Sequence, residues 1–129
     1  MSVNWKPEGY SSVSVYMVTE RAQEVIDFLK KTFEATELRR FDTSDGKIMH
    51  GEVRVGDSVV MIADAGGAYP AFPVWLHVYV QNVEEIYKKA LEAGGVPVQE
   101  PVRTEGDSDR RGGFKDPCGN TWWVATQVA

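Results

Sequence analysis

One order of parts, strand, helix, strand and hairpin, runs twice through this chain of 129 residues, at a spacing of about 62. Ser14-Val15-Tyr16-Met17-Val18 matches His77-Val78-Tyr79-Val80-Gln81, and an amphipathic segment follows each. Gly56-Asp57-Ser58-Val59-Val60 resembles Gly119-Asn120-Thr121-Trp122-Trp123. A stacked array needs three or more repeats to bury a continuous core, so two copies indicate duplication of one βαβββ unit. The expectation is an α+β fold of tandem βαβββ modules, 11–64 and 75–127, joined by a Gly-, Ala- and Pro-rich linker at 65–74 within a single domain 1–129. Two curved mixed sheets, each backed by a helix, would pack edge to edge around a cleft.

Each part rests on its own period. Residues 75–80 alternate, with Leu76, Val78 and Val80 on one face and Trp75, His77 and Tyr79 on the other, which is the period of a strand. Asn82 can cap the helix that follows, with Glu85 completing a capping box, and Gly94-Gly95 stops it. In the first module Val13, Val15 and Met17 oppose Ser12, Ser14 and Tyr16. Thr19 is the expected cap of a helix of about 14 residues marked by Ala22, Val25, Ile26, Leu29 and Phe33. Residues 38–41 read as a short strand. Gly56-Asp57 suits a two-residue type II′ turn, which sets the register of the hairpin 47–55/58–63: Glu52 faces Met61 and Val53 faces Val60. Pro97 and Pro101 confine 96–102 to an edge. Residues 103–112 read as a charged loop, and a second hairpin, 113–115 with 121–125, turns at 116–120.

Charge and composition narrow the partners. The formal charge is −5, from 14 basic and 19 acidic residues, and the basic ones are scattered, so nucleic acid is not an expected partner. No apolar run approaches the roughly 18 residues that cross a bilayer, and no signal peptide opens the chain, so no membrane is expected either. One cysteine, Cys118, excludes an internal disulfide framework, and a cytoplasmic location is the default.

Strand parity turns Tyr16, His50, Glu52, Met61, Trp75, His77, Tyr79 and Trp123 toward the cleft, and Trp122 and Val124 toward the core. Aromatic rings and a methionine around two histidines and a carboxylate describe an apolar pocket with a few orienting polar groups. That suits a planar or amphipathic organic molecule. His50, Glu52 and His77 are the candidate catalytic groups, since an imidazole or a desolvated carboxylate can take a proton from the carbon next to a carbonyl. Arg54, Arg110 and Arg111 are the candidates to stabilise the resulting enolate. Cys118 lies in a turn with no histidine near it in sequence and reads as filler.

Paired βαβββ modules, Asp116-Pro117-Cys118-Gly119-Asn120 before the last strand and His77 in the fifth strand resemble the vicinal oxygen chelate superfamily. That group includes glyoxalase I, bleomycin-resistance proteins, fosfomycin-resistance enzymes and extradiol dioxygenases. Residues 49–58, 76–80, 109–112 and 116–122 are most similar to its PhnB-like branch, and the likeness covers 12–127. The resemblance implies a homodimer. It also implies where a metal would sit: metal-dependent members use a side chain from the first strand, a Glu from the fourth, a His or similar from the fifth and a Glu from the eighth. Those positions fall on Ser14 (or Ser12), Met61, His77 and Trp123. Only His77 ligates well; a serine hydroxyl, a thioether and an indole do not suit Zn, Ni or Fe. No metal and no other cofactor is therefore expected. The remaining route to a divalent metal is a displaced set of His50, Glu52 and His77. The expectation is a metal-free binding protein for a small organic ligand. The alternative is a lyase, isomerase or dioxygenase-like enzyme with that displaced metal.

Overall fold

The structure, a computed structural model, describes residues 3–129. Its elements in chain order are β1 (Val15–Thr19), α1 (Ala22–Phe33), β2 (Thr36–Asp42), β3 (Ile48–Val55), β4 (Ser58–Asp64), β5 (Trp75–Tyr79), α2 (Val83–Glu92), β6 (Val96–Arg103), β7 (Asp109–Lys115) and β8 (Thr121–Gln127). They form two four-stranded sheets, β1-β4-β3-β2 and β5-β8-β7-β6. In each, the first strand pairs in parallel with the last and the other pairs are antiparallel. One mixed topology is thus built twice, as duplication requires.

The β3–β4 hairpin takes the register its turn dictates. Val55 pairs with Ser58, Val53 with Val60 and Glu52 with Met61, and Gly56 sits at φ +60, where only glycine is unstrained. Prolines and bulges keep β6 at its edge. Residues 109–112, expected in a loop, belong to β7. Their charges are paired: Asp109 is buried and bonds Arg111 at 3.1 Å, and Arg110 pairs with Glu84, so a charged sequence could still form a strand. Strand β2 likewise extends beyond 38–41 at both ends.

Thr19 does not cap α1. The N-cap residue is Arg21, which makes no side-chain capping bond. Instead Asp64, at the end of β4, accepts from the Ala22 amide at 2.9 Å and from the Ile48 amide at 2.7 Å. Thr126 at the end of β8 repeats the device, accepting from the Val83 amide at 3.1 Å, while Asn82 caps α2 from the Glu85 amide at 3.2 Å.

The halves are joined through helices and core rather than by strand pairing. Phe28 and Phe33 of α1 reach Phe114 and Trp122 of the second sheet, with ring centroids 5.4 to 6.2 Å apart. A single buried cluster takes in Met17, Ile62, Phe28, Phe114, Trp122 and Val124. Strands β1 and β5 are both sheet edges. They flank an open groove and do not pair with each other. No helix among the described residues is long and apolar enough to cross a membrane.

Candidate functional site

Three places carry the candidate residues. On the outer face of the first sheet, Tyr16 (β1) pairs with Met61 (β4), and Met61 with Glu52 (β3), so the three share one row across the strands. Glu52 is buried beneath its neighbours. It accepts from the Tyr10 hydroxyl at 2.5 Å, from Arg39 Nε and Nη2 at 3.1 and 3.3 Å, and bonds His50 Nε2 at 2.9 Å. Burial alone would push its pKa up. The hydrogen bonds from Tyr10, Arg39 and His50, with the charge of Arg39, outweigh that and lower it to about 2. An ionised carboxylate only accepts, so His50 Nε2 carries a proton. In the neutral ring Nδ1 then accepts from the Tyr16 hydroxyl, 2.9 Å away. Burial, Tyr69 and Glu52 raise the Tyr16 phenol above its ordinary value.

On the second sheet, Tyr79 donates to Asp109 Oδ2 at 2.7 Å, and Arg111 Nη2 donates to the same oxygen at 3.1 Å. The other arm of Arg111 donates to His77 Nε2. A guanidinium has no acceptor, so His77 Nε2 must accept and Nδ1 carries the proton. Burial and the neighbouring Arg111 lower the His77 pKa, against the pull of Asp109. The two histidines are therefore held as opposite tautomers. Beside them Trp123 lies flat on Gly113, where an added Cβ would come within 2.6 Å of the indole ring. Trp75 meets Trp123 edge-on, with ring centroids 5.4 Å apart.

The third place is the groove between β1 and β5, with a volume of about 600 Å³. Val60, Leu76, Val78 and Trp122 line it together with the candidates Trp75, His77 and Tyr79. Tyr16, His50, Glu52, Met61 and Trp123 lie outside it. The second-sheet cluster thus borders the groove through Trp75, His77 and Tyr79, while the cluster of Tyr16, His50 and Glu52 on the first sheet stands apart from it.

A family profile described as the glyoxalase/bleomycin resistance protein/dioxygenase superfamily matches residues 12–124. The chain belongs to that superfamily. Among its relatives are uncharacterised proteins of Mycobacterium bovis and Mycobacterium tuberculosis, each 32% identical over 99% of this chain and over 88% and 79% of their own lengths. Among solved structures, TioX from a Micromonospora species has a TM-score of 0.76 at 22% identity, covering 91% of this chain and 98% of that one. A Bacillus cereus PhnB protein has a TM-score of 0.70 at 15% identity, covering 90% and 99%. Glyoxalase I of Zea mays has 0.72 at 16%, covering 90% of this chain and 44% of that one. These likenesses show the fold.

The superfamily's metal position does not fit the side chains present. The register puts Tyr16, not Ser14, beside Met61, as His77 stands beside Trp123. Phenol, thioether and indole around one imidazole are no set for Zn, Ni or Fe. The displaced set of His50, Glu52 and His77 is not assembled either: among the described residues no three His, Cys, Asp or Glu side chains stand close enough to hold an ion. Arg54 donates to the Gly9 carbonyl at 3.1 Å and Arg110 pairs with Glu84, so both are engaged in structural contacts. Cys118 packs in its turn, with Sγ 3.5 Å from the Arg21 carbonyl. Sequence reasoning missed Tyr10, Arg39 and Asp109, whose partners lie elsewhere in the chain. The one local signal for Arg39 is that it stands with Arg40 between Leu38 and Phe41, a charge pair inside a short strand.

Proposed function

We propose that this chain is a small-molecule binding protein of the superfamily's metal-free kind, holding a flat or amphipathic organic compound in the groove between β1 and β5. The groove supports the reading most directly. Its volume of about 600 Å³ falls in the range of small-ligand sites, roughly 300–1,000 Å³. Its walls combine aliphatic side chains with Trp75, Tyr79 and a neutral His77 whose Nδ1–H is free to orient a ligand acceptor. Titration of Trp fluorescence with a panel of planar aromatic and amphipathic compounds tests it. Saturable quenching that is lost in Trp75→Ala supports the site, and silence from every compound at millimolar concentration overturns it. Metal content of protein purified without chelators should be far below one ion per chain. A stoichiometric ion lost on His77→Ala would favour the metal enzyme instead.

We further propose that the protein is a cytoplasmic homodimer. Trp75, Tyr79 and Val13 are more than half exposed at or beside the unpaired edges β1 and β5, an apolar surface of the sort that subunit contacts cover. Light scattering should return twice the 14.4 kDa chain mass; a single-chain mass at micromolar concentration would overturn this part.

A further inference from the structure

We propose that the open edge of β5 is a docking site for a short extended peptide with a cationic end, which lies in the groove as an added strand of the second sheet. The proposal rests on the reading of that groove as a binding site and names the class of molecule it holds.

The outer strands of the two sheets, β1 and β2 in one and β5 and β6 in the other, are not built alike. Glu37, Arg39, Arg40 and Asp42 stand along β2, and Pro97 and Pro101 along β6. Each of these two strands also shifts register twice against its neighbour. Charges, prolines and bulges keep stray strands from adding to an edge. Strand β5 has none of them. It carries no proline, carboxylate, lysine or arginine, and its five pairs with β8 run without a shift. Strand β1 is also plain, but its end is already covered, since the Val18 carbonyl accepts from the Phe72 amide at 3.3 Å.

The alternation of the main chain shows which groups β5 leaves open. The Val74 carbonyl accepts from the Thr121 amide at 2.9 Å, and the Val80 amide donates to the Ala125 carbonyl at 2.9 Å. Val74, Leu76, Val78 and Val80 therefore turn their main-chain groups toward β8. Trp75, His77 and Tyr79 present theirs on the opposite side, where no strand pairs with them. All three residues line the groove, and the facing wall is residues 13–15 with the hairpin end 55–60. A space closed in this way suits one strand rather than the edge of another folded sheet. Alternate side chains of an added strand would meet Leu76, Val78 and Trp122 on one side and Trp75 and Tyr79 on the other, so apolar residues suit both sets. Asp57 is the one carboxylate in the lining, which holds no lysine or arginine, so a positive end is favoured over a negative one.

The test titrates the intrinsic fluorescence of the protein with the tetrapeptide Lys-Val-Phe-Val, amidated at its C-terminus and free of Trp and Tyr. Saturable change at millimolar concentration or below is expected. The Glu-Val-Phe-Val counterpart should bind several-fold more weakly, and Asp57→Asn should lose that preference. An analogue methylated on its backbone nitrogens keeps every side chain but cannot donate along the edge, and should bind about tenfold or more weakly. Amide exchange followed by NMR should slow at Trp75, His77 and Tyr79 when peptide is added. It should stay unchanged at Leu76 and Val78, which already face β8. Equal binding of the methylated analogue overturns the proposal, as does binding that leaves those three amides unprotected or ignores the change from lysine to glutamate. Protection of the same amides that needs no peptide and grows with protein concentration gives the edge to a second copy, and overturns it too. Flat aromatic compounds that bind through Trp75 while the peptides do not would sink this proposal alone; silence from both classes sinks the groove as a binding site.

Discussion

Glu52 shows how much one side chain can set. Its pKa lies near 2 in the folded chain against an ordinary 4.5, so its contribution to stability is whole above about pH 4.5 and drains away as pH falls toward 2. That shift corresponds to up to about 3 kcal/mol. Urea melts between pH 5 and pH 2 should therefore lose stability more steeply in the wild type than in Glu52→Gln; equal slopes would contradict it. Gly113 acts by having no side chain. An alanine there would meet the Trp123 ring at 2.6 and 2.7 Å and must push the indole off the sheet, at about 1–3 kcal/mol. A changed near-ultraviolet dichroism of the tryptophans would report the displacement. Neither effect could be read from the chain, because Glu52 meets Tyr10 across 42 residues and nothing near either one announces the meeting.

Elements were legible where their signal is local. Alternation marked β1, β5 and the hairpin, Gly56-Asp57 fixed its register, and Asn82 announced α2. What escaped is supplied from a distance. The cap of α1 comes from Asp64, 42 residues from Ala22, and Arg110 and Arg111 of β7 found Glu84 and His77, 26 and 34 residues away. Asp64→Ala should cost about 1–2 kcal/mol, more than Thr19→Ala, measured by thermal or urea unfolding. The other end of α1 carries a flaw that can be mended. Glu34 sits at φ 55, in the left-handed region, so Glu34→Gly should stabilise the chain by about 0.5–1 kcal/mol. A lower midpoint would show that the carboxylate does something there that the backbone conceals.

At the scale of the molecule, duplication was visible in the sequence but the way the halves meet was not. The periodicity of each half says which face is apolar; it does not say that Phe28 and Phe33 will cross to the other sheet. Phe28→Ala should cost about 3–4 kcal/mol and, because it cuts the joint, separate the unfolding of the halves into two transitions, visible as a split melt in calorimetry. Trp122 carries a last consequence. This indole is fully buried, bonds Asp116 through Nε1 at 2.9 Å, packs on Phe33 and also lies along the groove. A guest that settles there presses on the rivet between the two copies of the ancestral unit, so occupancy and cohesion rise or fall together, and a compound bound in the seam should announce itself as heat resistance of the entire chain.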